Sequence, residues 1–461
     1  MSNNELMRTE SVTKLLIKFS VPAIVGMIVN ALYNIVDRIY IGKIGAIAMT
    51  GIGLSLPFMT LLMAFSMLVG IGAGARVSIR LGENNKDAAE KILGNALTLL
   101  VVIMTVVMVI GLAFKTPLLY LFGASEATIG YASDYITIIL IGSIFQGVGF
   151  GLNNIIRAEG NPQIAMYTML LGAITNIVLD PIFIFVFHMG IAGAAWATII
   201  SQLVSTIWVV RHFTSRRSHL VLKKSNLKLD RAVVLSIISI GMSPFFMQVA
   251  ASIVSIIANN ALKVHGGDIA ISAMTVVNAV SIFFLMPIFG LNQGSQPVIG
   301  FNYGAKEYGR VKKALGLAIA AATTVCLLAF VLTQFFTETM IKLFNDDPTL
   351  MSVATQGMKV YLCMMPVIGF QIISSNYFQA VGKAPKSMFL SLLRQVIILI
   401  PAMLILPNIK GLGLNGVWLS GPISDFTAAL VTAIFILNEM RLLHKQEILS
   451  TEAKESALSS N

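Results

Sequence analysis

Residues 211–231 read RHFTSRRSHLVLKKSNLKLDR and form the densest run of positive charge in the chain. They lie near the middle of 461 residues, with long apolar stretches on both sides. A helix needs about 20 apolar residues to cross a bilayer, and loops rich in Lys and Arg stay on the cytoplasmic side. We therefore interpret residues 211–231 as a cytoplasmic basic linker between two membrane-embedded halves.

Composition favours a membrane protein over a soluble one. Residues of the AVILMFWYC set make up 56% of the chain and charged residues only 11%, with a mean hydropathy of +0.83. Soluble domains carry about 25% charged residues, so this chain has too little charge to cover a soluble surface of its size. The two cysteines, Cys326 and Cys363, both lie in apolar stretches, which indicates no disulfide framework. Cytosolic enzymes and secreted disulfide scaffolds are therefore excluded as first interpretations.

The apolar stretches predict an all-α polytopic membrane protein with twelve transmembrane helices in two pseudo-symmetric six-helix bundles. The predicted spans are centred near Ile28, Leu61, Thr105, Ser143, Ile177, Leu203, Ile253, Phe284, Leu328, Gly369, Leu399 and Leu430. We expect an N-terminal bundle over residues 1–210 and a C-terminal bundle over residues 232–440. Residues 441–461 form a cytoplasmic polar tail, whose composition predicts disorder.

The positive charge has two explanations. The net charge of +11 comes from 32 Lys and Arg against 21 Asp and Glu, and either nucleic-acid binding or cytoplasmic enrichment of basic residues gives such an excess. If both termini are cytoplasmic, all but seven of the 32 basic residues fall on the cytoplasmic side. The exceptions are Lys43, Lys115, Lys263, Lys342, Lys359 and Lys410, and Arg38 inside the first span. This asymmetry argues against nucleic-acid binding and predicts a multi-pass protein of the plasma (inner) membrane with both termini cytoplasmic.

The two halves resemble each other at a constant shift of 222 residues. Matching positions include Gly72 with Gly294, Gly82 with Gly304, Asn154 with Asn376, Gly160 with Gly382 and Trp196 with Trp418. Six spans per half is an even number, so both halves cross the membrane in the same sense. Two such bundles facing one another predict a central cavity and rocking alternating access. The alternative is that a shared membrane composition makes the halves look alike.

The repeat also singles out polar residues that the shared scaffold does not need. Polar residues of the first half and their counterparts at the 222-residue shift are Asp37 with Asn259, Asn176 with Ile398, Asp180 with Ala402 and Thr198 with Ser420. A charged residue in the middle of a span costs about 2.5–3.5 kcal/mol on insertion scales, so buried acids there are functional candidates.

Asn176 and Asp180 are four residues apart and share a helix face. Asp180 precedes Pro181, whose ring clashes with the carbonyl group four residues earlier and can free that oxygen as a ligand. Carboxylate, amide, hydroxyl and carbonyl oxygens suit Na⁺, whereas a desolvated carboxylate suits H⁺. Asp37, Asn176, Asp180 and Thr198 are therefore a candidate cation-coupling site, open to either ion.

Structural roles compete with that interpretation. The acids can link helices by hydrogen bonds, or Asp37 can pair with Arg38 near the outer surface. Asp425 in the last span is a third buried acid, for which ion coupling, packing and a helix-start role stay open.

The remaining motifs point away from catalysis. The chain has no GxxxxGK[ST] loop for ATP and no Cys/His metal spacing, so we predict no enzyme activity and no cofactor besides a coupling ion. Met27, Asn30, Asn34 and Asn153 on first-half spans are weaker candidates for a substrate cavity, and packing explains each of them equally well.

The ordered motifs resemble the multidrug and toxic compound extrusion (MATE) family over roughly residues 15–441. The motifs are NALYNIVDRIYIG with Asp37, NIVLDP with Asn176 and Asp180, Thr198 in the sixth span, and GSQPVIGFNYGA from Gly294. The set is similar to the DinF/MepA-like branch, in which matching residues form a cation site in the N-terminal lobe that takes H⁺ or Na⁺.

The NorM-type branch instead carries acids in its seventh and tenth spans. Here the seventh span has Asn259 and Asn260, and the tenth, GFQIISSNYFQAVG, has no acid. A C-terminal ion site of the NorM type is therefore not expected.

The resemblance implies a MATE/MOP-type fold and a secondary antiporter that exports small lipophilic, often cationic, molecules. We expect it to act as a monomer in the lipid bilayer. A lipid-linked-precursor flippase or a single-metabolite exporter of the wider superfamily is the alternative. A flippase would be expected to place several cationic side chains in its cavity, whereas the first half has only Arg38 well inside a span.

Overall fold

The computed structural model describes residues 3–44, 46–126, 128–215, 218–344 and 347–459, and these residues contain helices and no strand. The α-helices are α1 (Asn3–Thr9), α2 (Val12–Gly42), α3 (Ala46–Gly82), α4 (Lys86–Leu121), α5 (Ile129–Ala158), α6 (Pro162–Pro181), α7 (Gly190–Thr214), α8 (Arg231–Gly304), α9 (Tyr308–Phe335), α10 (Thr337–Lys342), α11 (Pro348–Tyr361), α12 (Met365–Ala380), α13 (Ala384–Leu392), α14 (Ile400–Ile405) and α15 (Gly413–Ser459). π-Helical turns occupy Ile182–Val186 and Leu393–Leu399, and 3₁₀ turns occupy Lys224–Leu227 and Leu406–Asn408.

The spans agree with the sequence prediction. Within the described residues, 10 helical stretches are long and apolar enough to cross a membrane, and α11 with α12, bent by 51°, makes one more. The 74-residue α8 counts once in that number, although Gly267 interrupts it with a φ of 67° that favours glycine. Division of α8 at Gly267 gives twelve spans, and each predicted centre lies in one of them. The predicted all-α polytopic fold is confirmed.

Polar side chains set where several helices begin. The Asn85 carboxamide oxygen accepts a hydrogen bond from the Ala88 amide at 3.0 Å at the start of α4. At the start of α8, the Asp230 carboxylate accepts from the Ala232 amide at 2.8 Å and from the Lys91 ammonium at 2.6 Å. Such caps satisfy amides that have no partner inside the helix. Lys91 and the capped amides hold the pKa of Asp230 below its ordinary value.

The helices form two lobes. The N-lobe comprises α2 to α7, and the C-lobe comprises α8 to α15. In the N-lobe, α3 packs against α4 and α5, and α2 packs against α6. The lobes meet where α2 and α3 both pack against α8, so the first two spans of the chain carry the contact with the C-lobe.

Two glycines related by the 222-residue shift make reciprocal contacts between the lobes. A Cβ atom on Gly82 would lie 2.0 Å from the carbonyl oxygen of Phe301, and one on Gly304 would lie 2.1 Å from that of Ile79. Ile79 and Phe301 are related by the same shift. The lobes therefore meet here through a pseudo-two-fold contact that only glycine permits. We call this end of the molecule, where the turns after α3 and α8 lie together, the basic end.

The N-terminal helix bridges both lobes at the basic end. The Arg8 guanidinium donates to the carbonyl oxygen of Gly82 at 3.2 Å on the N-lobe. From the C-lobe, the Arg310 guanidinium donates to the carbonyl oxygens of Met7 at 3.0 Å and Glu10 at 2.7 Å. Since these bonds end on backbone oxygens, they fix the position of the N-terminal segment without depending on the side chains of the accepting residues.

The linker between the lobes is held against the N-lobe by two buried glutamates. The Glu159 carboxylate accepts from the Ser218 hydroxyl at 2.7 Å, and the Glu90 carboxylate accepts from the Val221 amide at 3.2 Å. Lys223 pairs with Glu90 at 2.5 Å. The described part of the basic linker is therefore an anchored segment rather than a free loop.

The prediction of a disordered tail is wrong. Helix α15 continues past the last span to Ser459. The carboxylate of Glu447 pairs with the ammonium of Lys312 on α9, which ties the helical extension back to the C-lobe. The polar composition of this segment suits a helix at a protein surface. Composition alone does not distinguish such a helix from a disordered segment.

Substitution of Gly304 by Leu tests the contact between the lobes. We expect the larger side chain to collide with backbone atoms of α3 and to lower the free energy of unfolding by about 1–3 kcal/mol, the usual cost of overpacking. Gly316→Leu on α9 is the control, because nothing lies within 4 Å of a Cβ built there. Denaturation in detergent is the measurement, and equal losses in the two variants would contradict the contact.

Candidate ion-binding site

The four residues predicted to form a cation site come from three N-lobe helices. Asp37 lies on α2, Asn176 and Asp180 on α6, and Thr198 on α7. Asn176 is 1% exposed, Asp180 0% and Thr198 8%, whereas Asp37 is partly exposed. The regular helix α6 ends at Pro181, directly after Asp180, and the chain continues as the π-helical turn Ile182–Val186.

The Asn176 side chain lies between the other polar groups. Its amide nitrogen is 3.3 Å from the Asp180 Oδ1 atom and 3.5 Å from the Thr198 Oγ1 atom, and it donates to both. The first contact joins residues one helical turn apart, as their spacing predicts. The second contact joins α6 to α7. Because one carboxamide makes both contacts, it fixes the orientation of the Asp180 carboxylate relative to α7.

The carboxyl groups of Asp37 and Asp180 are close enough to act on each other electrostatically. Three buried oxygens at the site have no hydrogen-bond donor within the described residues: Asp37 Oδ1, Asp180 Oδ2 and Asn176 Oδ1. An unsatisfied buried acceptor costs about 1–3 kcal/mol, and two adjacent carboxylates also repel each other. A site in which several acceptor oxygens are left without donors is chemically suited to a proton or a hard cation.

Two tyrosines near the carboxyl groups were not found from the sequence. Tyr33 and Tyr135 each interact electrostatically with both Asp37 and Asp180, and Tyr135 is fully buried on α5. Tyr33 was detectable, because it precedes Asp37 by four residues and shares its face of α2. Tyr135 was not, since only the packing of α5 in the N-lobe brings it to the site.

The alternative pairing of Asp37 with Arg38 is not observed. Among the described residues no ion pair joins these two side chains, and the Arg38 side chain is exposed. The reason is geometric, since successive residues of a helix point about 100° apart. Within the described residues Asp37 thus has no cationic side chain at ion-pair distance, although Arg38 acts on it electrostatically.

The weaker cavity candidates have separate environments. The Met27 sulfur accepts from the Gln293 amide at 3.5 Å, a contact between α2 and the C-lobe. One turn later, the Asn34 amide donates to the carbonyl oxygen of Asn30 at 2.6 Å. Asn153 is buried on α5, where its carboxamide oxygen has no partner within the described residues. No hydrogen bond among the described residues joins Asn153 to the three α2 positions.

The third buried acid has a partner that the sequence interpretation missed. The Asp425 Oδ1 atom accepts from the Nε atom of Arg394, which lies in the π-helical turn Leu393–Leu399. The charge distribution predicts a cytoplasmic position for Arg394, although apolar residues flank it on both sides in SLLRQVIILI. Since α15 begins at Gly413, twelve positions before Asp425, a helix-start role is excluded.

No group of three or more His, Cys, Asp or Glu side chains that suits a metal ion occurs in the described part of the chain. The N-lobe site instead combines two carboxylates with one amide and one hydroxyl oxygen. This donor set is typical of weakly held, exchangeable cations rather than of a permanently bound transition metal.

The sequence matches known transporters along most of its length. A family model described as MatE matches residues 22–182 and 233–404. The multidrug export protein MepA of Staphylococcus haemolyticus is 27% identical over 432 residues, which are 94% of each chain. That of Staphylococcus aureus strain N315 is 28% identical over 437 residues, which are 92% of this chain and 93% of the relative.

Solved structures share the fold. A MATE crystal structure in the bent conformation gives a TM-score of 0.92 at 24% identity and covers 97% of this chain and 99% of its own. An outward-facing multidrug resistance MATE family transporter of the MOP superfamily gives a TM-score of 0.90 at 24% identity, with 96% and 99% covered. The predicted MATE/MOP-type fold is confirmed.

Replacement of Asn176 by Leu tests the polar contacts of the site. We expect the free energy of unfolding to fall by about 1–3 kcal/mol, because the Asp180 and Thr198 oxygens lose their shared donor in a buried place. Thr175→Val is the matched control, since the Thr175 hydroxyl donates only to the carbonyl oxygen of Leu171 on its own helix. If both variants unfold at the same denaturant concentration, Asn176 does not organise the site.

Proposed function

This chain belongs to the MatE family, and we propose that it exports lipophilic, often cationic, drugs by alternating access in exchange for H⁺ or Na⁺. The observation that carries the proposal is the pair of adjacent carboxyl groups, Asp37 and Asp180, whose buried oxygens lack donors within the described residues. The named role of the MepA relatives, multidrug export, supports the substrate class. A membrane transporter, rather than an enzyme, is the function that fits this site.

We assign the basic end to the cytoplasm, with both termini on that side of the plasma (inner) membrane. The charge distribution supports this orientation, because loops rich in Lys and Arg remain cytoplasmic. With the lobes in contact through Gly82 and Gly304, the molecule is then closed towards the cytoplasm. In this state the drug site communicates with the outer side, where release occurs.

Helix α2 is the element that connects the cation site to the other lobe. On one side, a Cβ atom at Gly26 would lie 2.7 Å from the sulfur of Met169 on α6. On the other side, Gly290 and Gly294 of α8 approach the Cα atoms of Ile24 and Ser20 so closely that a Cβ atom would lie 2.6 and 2.5 Å away. A displacement of α2 at the carboxyl pair therefore changes its contact with the C-lobe.

The proposed cycle follows from electrostatic repulsion. A cation between Asp37 and Asp180 reduces the negative charge of the pair, weakens the repulsion and draws the outer part of α2 towards α6. The movement reshapes the cavity between the lobes, weakens drug binding and allows release to the outside. Asn176 holds the Asp180 carboxylate in its orientation, and Thr198 supplies a further oxygen ligand. We assign Met27, Asn30, Asn34 and Asn153 to the drug cavity.

The driving forces are of the same order as the cost of this exchange. A 100-fold drug gradient costs roughly 2.7 kcal/mol. One proton that enters across 100 mV releases about 2.3 kcal/mol, and each pH unit adds about 1.4 kcal/mol. Exchange of one monovalent cation for one monovalent drug cation moves no net charge, so only the chemical gradient drives it. A second coupling ion would restore the electrical contribution.

The site does not favour a flippase for lipid-linked precursors. A pyrophosphate group requires cationic donors, whereas the N-lobe site presents acceptor oxygens that are unpaired within the described residues. Two carboxylates would repel such a substrate.

Transport by reconstituted protein tests the proposal. Dye transport across the proteoliposome membrane is measured under an imposed H⁺ gradient and, separately, under an imposed Na⁺ gradient. The gradient that drives transport identifies the coupling ion. We expect Asp37→Asn and Asp180→Asn each to reduce gradient-driven export by about tenfold or more, corresponding to at least 1.4 kcal/mol of lost coupling.

Asp134→Asn is the matched control, since this acid lies on the exposed face of α5. Its export rate is expected to match the unmodified protein. Folded Asn variants that export at the unmodified rate would refute the assignment of the cation site.

A further inference from the structure

The C-lobe contains an acid in a setting opposite to that of the N-lobe carboxyl pair. Asp425 has a side chain only 5% exposed, and the guanidinium of Arg394, with a side chain 26% exposed, donates directly to it. The positions 222 residues earlier are Leu203 and Gly172. The shared scaffold therefore folds without this ion pair in the N-lobe.

The ion pair is held by a second contact between the same two elements. The hydroxyl of Ser424, next to Asp425 on α15, donates to the carbonyl oxygen of Arg394 at 2.6 Å. The chain at Arg394 is π-helical from Leu393 to Leu399. Both the charged group and the backbone of Arg394 are thus fixed against α15.

An ion pair inside a membrane is expensive, and removal of one partner leaves the other charge buried without compensation. Asp37 and Asp180 form no ion pair within the described residues, whereas Asp425 in the C-lobe has a partner that is covalently part of the chain. A guanidinium does not lose its proton in proteins and cannot diffuse away. It therefore stands where an exchangeable monovalent cation would otherwise bind.

We propose that Arg394 is a tethered cation that permanently occupies the C-lobe carboxylate of Asp425 and so confines exchange of the coupling ion to the N-lobe site. The inference rests on the proposed function and specifies its stoichiometry. In this arrangement Asp425 is a charge partner of Arg394 and not a second coupling residue.

The surroundings of the pair contain three further titratable groups. Tyr361 is the last residue of α11, Cys363 lies between α11 and α12, and Cys326 lies on α9. Each of the three interacts electrostatically with Asp425. None of them is a cation, so Arg394 is the positive charge that compensates Asp425 among the described groups around it. Removal of Arg394 alone is expected to leave a carboxylate open to a proton from solution.

Proton uptake by the purified full-length protein tests the proposal without a drug. The uptake between pH 8 and pH 5 is measured with a pH indicator for the unmodified protein, Arg394→Gln, and the double variant Arg394→Gln/Asp425→Asn. We expect equal uptake by the unmodified protein and the double variant, because the native pair exchanges no proton. Arg394→Gln is expected to take up one proton more than the double variant.

Two results would overturn the proposal. If the unmodified protein takes up one proton more than the double variant, Asp425 exchanges protons in the native molecule. If Arg394→Gln matches the double variant, Arg394 is not what keeps protons away from Asp425. The first comparison remains decisive even if Arg394→Gln alone fails to fold, because the double variant has no unpaired charge at positions 394 and 425.

Transport separates this inference from the proposed function. In proteoliposomes, the double variant is expected to export dye with the same number of coupling ions per dye molecule as the unmodified protein. A folded double variant that binds dye but has lost gradient-driven export would make Asp425 a coupling residue and refute the tethered-cation role. Absence of gradient-driven export by the unmodified protein would refute the proposed function instead, while the proton-uptake comparison stays interpretable.

Discussion

One electrostatic constraint underlies the proposed function: two carboxyl groups act on each other within a membrane-spanning bundle. Asp37 and Asp180 come from different helices, and Asn176 supplies a donor to only one of the Asp180 oxygens. Repulsion between the acids makes the relative position of α2 and α6 sensitive to any cation between them. Because α2 also packs closely against α8, the same sensitivity extends to the contact between the lobes.

A symmetric scaffold carries an asymmetric distribution of charge. The reciprocal contacts of Gly82 and Gly304 show that the halves share their backbone arrangement at the basic end. Their interiors differ, since the N-lobe acids are uncompensated among the described residues and Asp425 in the C-lobe is paired with Arg394. We propose that the two similar lobes rock against each other and that the charge asymmetry determines which lobe responds to ions.

Periodicity and the internal repeat were enough to predict the spans and to select the polar positions. Asp37 and Asp180 could be found because they are acids in apolar helices whose counterparts at the repeat shift are not acids. Tyr135 could not, because its proximity arises from packing between helices distant in sequence. Arg394 was misplaced because it lies only ten residues beyond the start of its span, where a basic residue resembles part of a cytoplasmic loop. The helical extension to Ser459 was missed because polar composition does not distinguish a surface helix from a disordered tail.

The distance between the two lobes at the basic end tests the central claim most directly. Spin labels at Glu83 and Ala305, which occupy equivalent turns of the two lobes and line the same cleft, report this separation by electron paramagnetic resonance in lipid vesicles. The account predicts that the distance distribution shifts when H⁺ or Na⁺ is added to otherwise unmodified protein and does not shift in the Asp180→Asn protein. An equal cation-dependent shift in both proteins would show that the carboxyl pair does not control the movement of the lobes.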